Sequence, residues 1–325
     1  MKRNWGILAT GNICNQMAQA LTDAEEANIL AAASRTQGKA DVFTKRWNIP
    51  RSYGSYEVLV NDPDVEIIYI GSPHGLHYDH IKLCLNHGKH VLCEKAFTIN
   101  AKQAEECIAL AKEKSLFLME GMWTRFFPLM VRLRELLKED VLGKISLVQA
   151  DFCIQRPFDP EHRLFKMELG GGALLDLGIY VLSFASMVLG QSDQIIGDAV
   201  FGPAGSDELD TITTIYPDGV RGQFSCAIQI HRPHEAFIVG EKGYIKVHEG
   251  FYKPDKMTLH LNGQAAEIIK LPARSNGLIH EVEEVHNCLD QGRIESEIMP
   301  LHETVELMST MDDLRNQWGL KYPME

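Results

Sequence analysis

The chain has no long block of lysine or arginine. Its 32 basic residues stand against 44 acidic ones, for a formal net charge of -12. A polyanion-binding surface needs clustered cations, so neither nucleic acid nor an anionic membrane is an expected partner. A local basic pocket for one phosphate remains open. Paired cysteine spacings are also missing. The seven cysteines are scattered and odd in number, with no metal-binding pair among them. They read as small buried apolar side chains in a reducing compartment, so a cytoplasmic protein is expected. No apolar leader precedes Asn4-Trp5-Gly6-Ile7, and no run reads as long enough to cross a bilayer. There is no internal repeat and no low-complexity tail. Finally, the glycine fingerprint of a nucleotide-binding turn is incomplete. A G-x-G-x-x-G turn here would place glycines at 9, 11 and 14, and the chain has Ala9, Gly11 and Cys14.

What is present suffices for two domains. The chain has 325 residues, 45% of them hydrophobic and 23% charged. Trp5 to Ala9 reads as a strand, Ala9-Thr10-Gly11-Asn12-Ile13 as a tight turn into a helix, and Ile29 to Ala33 as a second strand. That is one βαβ unit whose helix N-terminus could receive a phosphate, with Gly11 at the closest backbone approach. On this stretch alone, a βαβ unit without cofactor stays open. The second strand ends in Ser34-Arg35-Thr36, where a ribose 2′-hydroxyl usually meets Asp or Glu. An arginine and two hydroxyls suit a 2′-phosphate instead, so NADP(H) is the expected cofactor.

Val65 to Ile70 reads as a buried parallel strand that ends at Ser72-Pro73-His74, and His77 opens a helix. Loops at the carboxyl ends of parallel strands bind ligands, so Ser72, Pro73, His74 and His77 join the cofactor candidates. His74, His77 and His80 have no acidic or cysteine partner at a usual spacing, so no metal is expected. The strand His90 to Cys93 ends at Glu94-Lys95, where the lysine can point at a nicotinamide and the reacting carbon. Met122 to Pro128 is dense in aromatics; Trp123 and Phe126 suit a ring-shaped substrate and Arg125 its oxygens. Gly170 to Gly172 open an apolar helix interrupted by Asp176 and Tyr180, four apart and therefore on one face. With Lys95 they would form a polar triad. From Gln194 to Leu271, short β runs alternate with turns such as Pro217-Asp218-Gly219, a mostly antiparallel sheet with a face left for a second copy of the chain.

Together these stretches resemble the glucose–fructose oxidoreductase / inositol dehydrogenase (Gfo/Idh/MocA) family, over essentially the whole chain. Glu94-Lys95-Ala96 is similar to its Glu-Lys-Pro motif, with alanine in place of proline. Gly170 to Tyr180 is similar to its glycine-rich helix. Tyr180, and the run Glu120 to Phe126, look like the branch of dimeric dihydrodiol dehydrogenase and NADP-dependent D-xylose dehydrogenase. The resemblance implies an α/β fold: an N-terminal Rossmann dinucleotide-binding domain over 1–121, then an α+β domain over 122–325 with a large, mostly antiparallel open sheet. The last helix is free to pack back towards the first domain. It implies hydride transfer between NADP(H) and a CH–OH group of a cyclic polyol, sugar or dihydrodiol. Tyr180 would be the general acid/base, Lys95 would favour its phenolate and orient the substrate hydroxyl, and Asp176 would hold the lysine or a substrate hydroxyl. Trp123, Arg125 and Phe126 would shape the pocket, with Phe158, Arg163 and Phe165 as further candidates. A homodimer through the second-domain sheet is expected, with a dimer of dimers as the larger form. Two other classes stay open: an inositol or deoxysugar dehydrogenase or imine reductase of the same fold, and a non-catalytic NADP-binding regulatory protein.

Overall fold

The computed structural model describes residues 2–325. The chain forms two compact units. The first comprises the chain up to Thr98, Lys102–Trp123 and Arg274–Val305; the second comprises Ile99–Ala101, Thr124–Ala273 and Glu306–Glu325. The strands of the first unit are β1 (Arg3–Leu8), β2 (Ala27–Ala33), β3 (Arg51–Tyr53), β4 (Ile67–Ile70), β5 (His90–Glu94) and β6 (Leu118–Gly121). Those of the second are β7 (Ile145–Cys153), β8 (Gln194–Phe201), β9 (Asp207–Ile215), β10 (Arg221–Ala227), β11 (Ala236–Gly240), β12 (Gly243–Val247), β13 (Lys256–Leu261) and β14 (Glu267–Lys270). The helices are α1 (Asn12–Asp23), α2 (Gln37–Trp47), α3 (Tyr56–Val60), α4 (His77–Asn86) and α5 (Ala101–Lys114). They continue with α6 (Pro128–Lys138), α7 (Ile179–Leu189), α8 (Ile279–Asp290) and α9 (Leu301–Trp318).

In the first unit, six parallel strands lie in the order β3-β2-β1-β4-β5-β6. Ile7, Leu8, Ile67, Ile68, Ile70, Val91 and Leu92 are all buried. A near-continuous apolar run is what a strand needs when both of its faces are covered. The strand order reverses between β1 and β4, so the loops leaving those two strands diverge and open a crevice at the carboxyl edge. Late in the sequence, α8 returns to pack on α1, and Trp5 donates through Nε1 to His286 Nε2 at 2.9 Å.

In the second unit, eight strands lie in the order β14-β13-β12-β11-β7-β10-β9-β8. The pair β7–β10 is parallel and the other neighbours are antiparallel. Burial alternates along β10, β12 and β13, so one face carries the core. That face packs on α7 and on the turns just before it. Two strands were not anticipated. β3 is three residues long, and β8 carries Gly197 and Asp198 in its middle. Gly197 lets the strand pack closely there, since a Cβ would fall 2.6 Å from Leu314 Cδ2.

One expectation is corrected. Met167–Leu189 is long and apolar enough to cross a membrane by length and composition, with a mean hydropathy of 1.8. Of its most apolar 18-residue stretch, to which that value belongs, 78% is buried within the protein, as in the core helix of a globular domain.

Candidate active site

The turn after β1 is built to leave a helix end open. Gly11 precedes α1 with no side-chain cap, and the first turn of α1 holds no acid. The leading amides therefore carry the positive end of the helix dipole towards the turn. Gly11 sits at φ -73°, a conformation any residue adopts, and an added Cβ would meet nothing within 4 Å. Neither backbone nor packing asks for glycine here; room for a ligand does. That open room at a helix N-terminus is where the dinucleotide reading would place a pyrophosphate. Ala9 takes φ 90°, a left-handed value that costs alanine about 1 kcal/mol and that the fingerprint glycine would take freely. Cys14 fills the last fingerprint position by packing on Gly71, where a Cβ would lie 2.5 Å from its Sγ. Burial pushes the Cys14 thiol up to about 12, so it is a packing group and not a nucleophile. Asn12 is exposed beside it and Ile13 half-buried.

At the end of β2, Thr10 donates through Oγ1 to the buried Ser34 at 3.3 Å. Arg35 and Thr36 are exposed, and among the described residues no ion pair or hydrogen bond restrains the Arg35 guanidinium. Tyr56 and His80 both sense its charge, which places it over the end of β2 near α3 and α4.

Behind β4 the polar groups turn inward. His77 is fully buried; Nδ1 faces the Ala96 carbonyl at 2.9 Å and Nε2 the Ser72 carbonyl at 2.8 Å. A neutral imidazole donates to one of the two, and burial holds His77 below its usual range. His77 therefore ties the loop after β4 to the loop after β5 and offers no surface to a cofactor, which corrects its expected role. His80 binds Ser72 through Nδ1 at 2.8 Å, and burial brings it down to about 4. Pro73 is half-buried, and His74 is buried with its ring edge-on to His77 at 5.7 Å. Lys95 lies just past β5, half-buried, and the Lys95–Ala96 peptide is cis.

Glu94, expected beside the cofactor, instead faces inward. It is buried and accepts from Tyr69 Oη at 2.6 Å. Glu281 of α8 is also fully buried, with no hydrogen-bond partner on either oxygen among the described residues. Burial, and after it the nearby Glu94, push its carboxyl well above the usual range, which favours the neutral form.

In the second unit, residues 173–189 form one helix that is π-helical over Leu174–Gly178. The wider π turn rotates Asp176 relative to Tyr180, so the simple one-face reading of their spacing is modified. Asp176 is buried and held by Arg163, which donates at 2.9 and 3.3 Å. Tyr180 is 7% exposed and sits among aromatics that sequence reasoning missed. Phe152 lies at 5.2 Å and Tyr252 at 6.0 Å, and those two rings stack on each other at 4.3 Å. His234 completes the group at 5.0 Å from Phe152. Phe152 lies on β7 while His234 and Tyr252 lie in connecting segments, and local sequence pattern does not say that segments 50 to 100 residues apart converge.

The pocket candidates divide. Arg125 is buried and donates to Ser183 Oγ at 2.9 Å and to the Ser183 carbonyl at 2.8 Å, so it anchors α7. Phe126 and Phe165 are buried, the latter fully. Phe158 is 43% exposed and edge-on to Phe165 at 5.2 Å; Trp123, in the first unit, is half-buried.

A doubly wound unit with an open helix end, joined in one chain to a sheet unit whose helix carries an acid and a phenol, is the plan of a dinucleotide-dependent oxidoreductase. The chain belongs to the Gfo/Idh/MocA family: residues 3–122 match the family of oxidoreductases with an NAD-binding Rossmann fold, and residues 130–246 match its C-terminal domain. It is 35% identical to trans-1,2-dihydrobenzene-1,2-diol dehydrogenase of Xenopus tropicalis, over 99% of this chain and 100% of that one. The Homo sapiens enzyme of the same name is 34% identical over 100% of this chain and 99% of its own. Among solved structures, a 3-ketoreductase from Actinomadura kijaniata in complex with NADP and TDP-benzene superposes with a TM-score of 0.88 at 24% identity, covering 97% of this chain and 98% of that one. An aldose-aldose oxidoreductase from Caulobacter crescentus gives 0.89 at 21% identity, with 98% and 99% covered.

Proposed function

We propose that this protein is an NADP(H)-dependent oxidoreductase acting on a CH–OH group of a sugar, cyclic polyol or dihydrodiol. The observation that carries the reading is the open α1 terminus at Gly11 together with an arginine, not an acid, after β2. Full-length likeness to dihydrodiol dehydrogenases supports the substrate class. The amides that follow Gly11 would hold the pyrophosphate, and Arg35, Ser34 and Thr36 the 2′-phosphate. Bound NADP(H) supplies the hydride acceptor or donor. In the oxidative direction, Tyr180 Oη takes the proton of the substrate hydroxyl and returns one in the reverse direction. Lys95 orients that hydroxyl, and Arg163 pairs with Asp176 on the helix that carries the phenol. The aromatic group around Tyr180 suits the apolar face of a ring.

Exposed Ile196, Val200, Phe201, Tyr244 and Ile268 on the sheet strands support a homodimer through the second-domain sheet. All seven cysteines are free and buried, which fits the cytoplasm.

The test is a panel of sugars, inositols and trans-dihydrodiols with NADP+ and with NAD+, followed by nicotinamide absorbance. Turnover on at least one CH–OH donor, at least tenfold better in kcat/KM with NADP+, is expected. Tight NADPH binding with no turnover on any polyol or carbonyl would make the chain a cofactor-binding regulatory protein instead.

A further inference from the structure

The glycine run ahead of the Tyr180 helix has a cause that lies on another strand. Gly172 takes φ 128°, and a Cβ there would fall 2.0 Å from Asp207 Oδ1. Asp207, at the start of β9, is fully buried, and its Oδ2 accepts from the Leu174 amide at 2.6 Å. The Ala173 amide also bonds to it. Asp207 thus caps, from 33 residues away, the first turn of the helix that carries Asp176 and Tyr180. Tyr322 holds the same turn from another side, donating to the Gly171 carbonyl at 2.8 Å. Asp207 has a second carboxyl close by: Asp210, also fully buried, accepts from Cys226 Sγ at 3.1 Å and feels the Asp207 charge, and Oδ1 of each aspartate is buried with no other partner among the described residues.

Two neighbouring buried carboxyls, each with an oxygen that has no other partner, are both satisfied when they share one proton. Asp207 receives backbone N–H donors, which favour its ionised form; Asp210 otherwise meets a thiol. The proton therefore resides on Asp210, and Asp207 carries the charge at the positive helix end. Burial pushes Asp210 well up, and the charge of Asp207 adds to that.

We propose that Asp207 is a positioning residue for the Tyr180 helix: its buried carboxylate, backed by Asp210 as a neutral acid, fixes the π-helical turn that sets where Asp176 and Tyr180 stand. The inference rests on Tyr180 being the acid/base, but part of its test is independent of that reading. In the wild-type protein the Leu174 amide, in a first turn that would otherwise fray, is expected to be strongly protected from hydrogen exchange; fast exchange overturns the proposal. Asp207→Asn and Asp210→Ala are each expected to lower kcat at least tenfold, with KM and NADPH affinity within twofold of wild type and with faster exchange over 172–176. Asp210→Asn restores an N–H donor to Asp207 and is expected to recover kcat to within threefold. Equal impairment of Asp210→Asn and Asp210→Ala, or an Asp207→Asn enzyme with wild-type kcat, overturns it. Unchanged turnover in Tyr180→Phe would sink the acid/base reading and leave the exchange result standing.

Discussion

Gly11 is the residue at which cofactor and fold can be separated. Its angles suit alanine and the space around its Cβ position is empty. Gly11→Ala is therefore expected to leave the unliganded melting temperature within about 2 °C of wild type, or slightly above it through lower unfolded-state entropy. The same change should weaken NADPH at least tenfold by filling the phosphate's place; undiminished binding would remove the pyrophosphate from this turn. Arg35→Ala should cost NADPH roughly 1.5 to 3 kcal/mol, the range of a hydrogen bond to a charged group, and leave NADH nearly unchanged. Equal losses would defeat the 2′-phosphate assignment. Both residues were legible in the sequence because a βαβ turn and the end of its second strand lie at short, regular spacings. Side-chain direction was not legible in the same way. Glu94 and His77 stand in the expected loops, yet their polar groups turn inward to Tyr69, Ser72 and Ala96. Arg125 stands in an aromatic run that suggested substrate, and it binds Ser183.

At the scale of elements, the β4 loop is held by histidines of α4. His80 is drawn down from the usual 6.5 to about 4 by burial. The native state keeps it neutral, whereas the unfolded chain takes up a proton below about pH 6.5. Its stabilising contribution is complete above that pH and is lost as the pH falls towards 4. His80→Gln should therefore reduce the drop in melting temperature between pH 7 and pH 5 by about 2 °C or more, read by calorimetry. An identical drop in both proteins would contradict the burial of a neutral His80. The parallel strands other than β3, α1 and the Pro217–Gly219 hairpin were legible from apolar runs and turn residues. The strand β8 was not, because Gly197 and Asp198 interrupt its pattern, the glycine where the strand packs closely against α9. Nor was the π turn at Leu174–Gly178, whose cap Asp207 comes from a distant strand.

For the molecule as a whole, the fold class was accessible because a doubly wound sheet and an open antiparallel sheet have different periodicities. The aromatic surroundings of Tyr180 were not, since Phe152, His234 and Tyr252 meet only once β7 and the chain beyond β10 are in register. Met167–Leu189 illustrates the same point from the other side: its composition alone would fit a bilayer, and its burial places it in a core. The central claim is hydride transfer between a CH–OH carbon and NADP(H). It is tested most directly with a turned-over substrate that carries deuterium on the reacting carbon. After one turnover with NADP+, mass spectrometry should find one deuterium on the nicotinamide ring, and kcat/KM should show a primary isotope effect. Reduced cofactor without deuterium, or product formed with no reduced cofactor at all, would contradict the account.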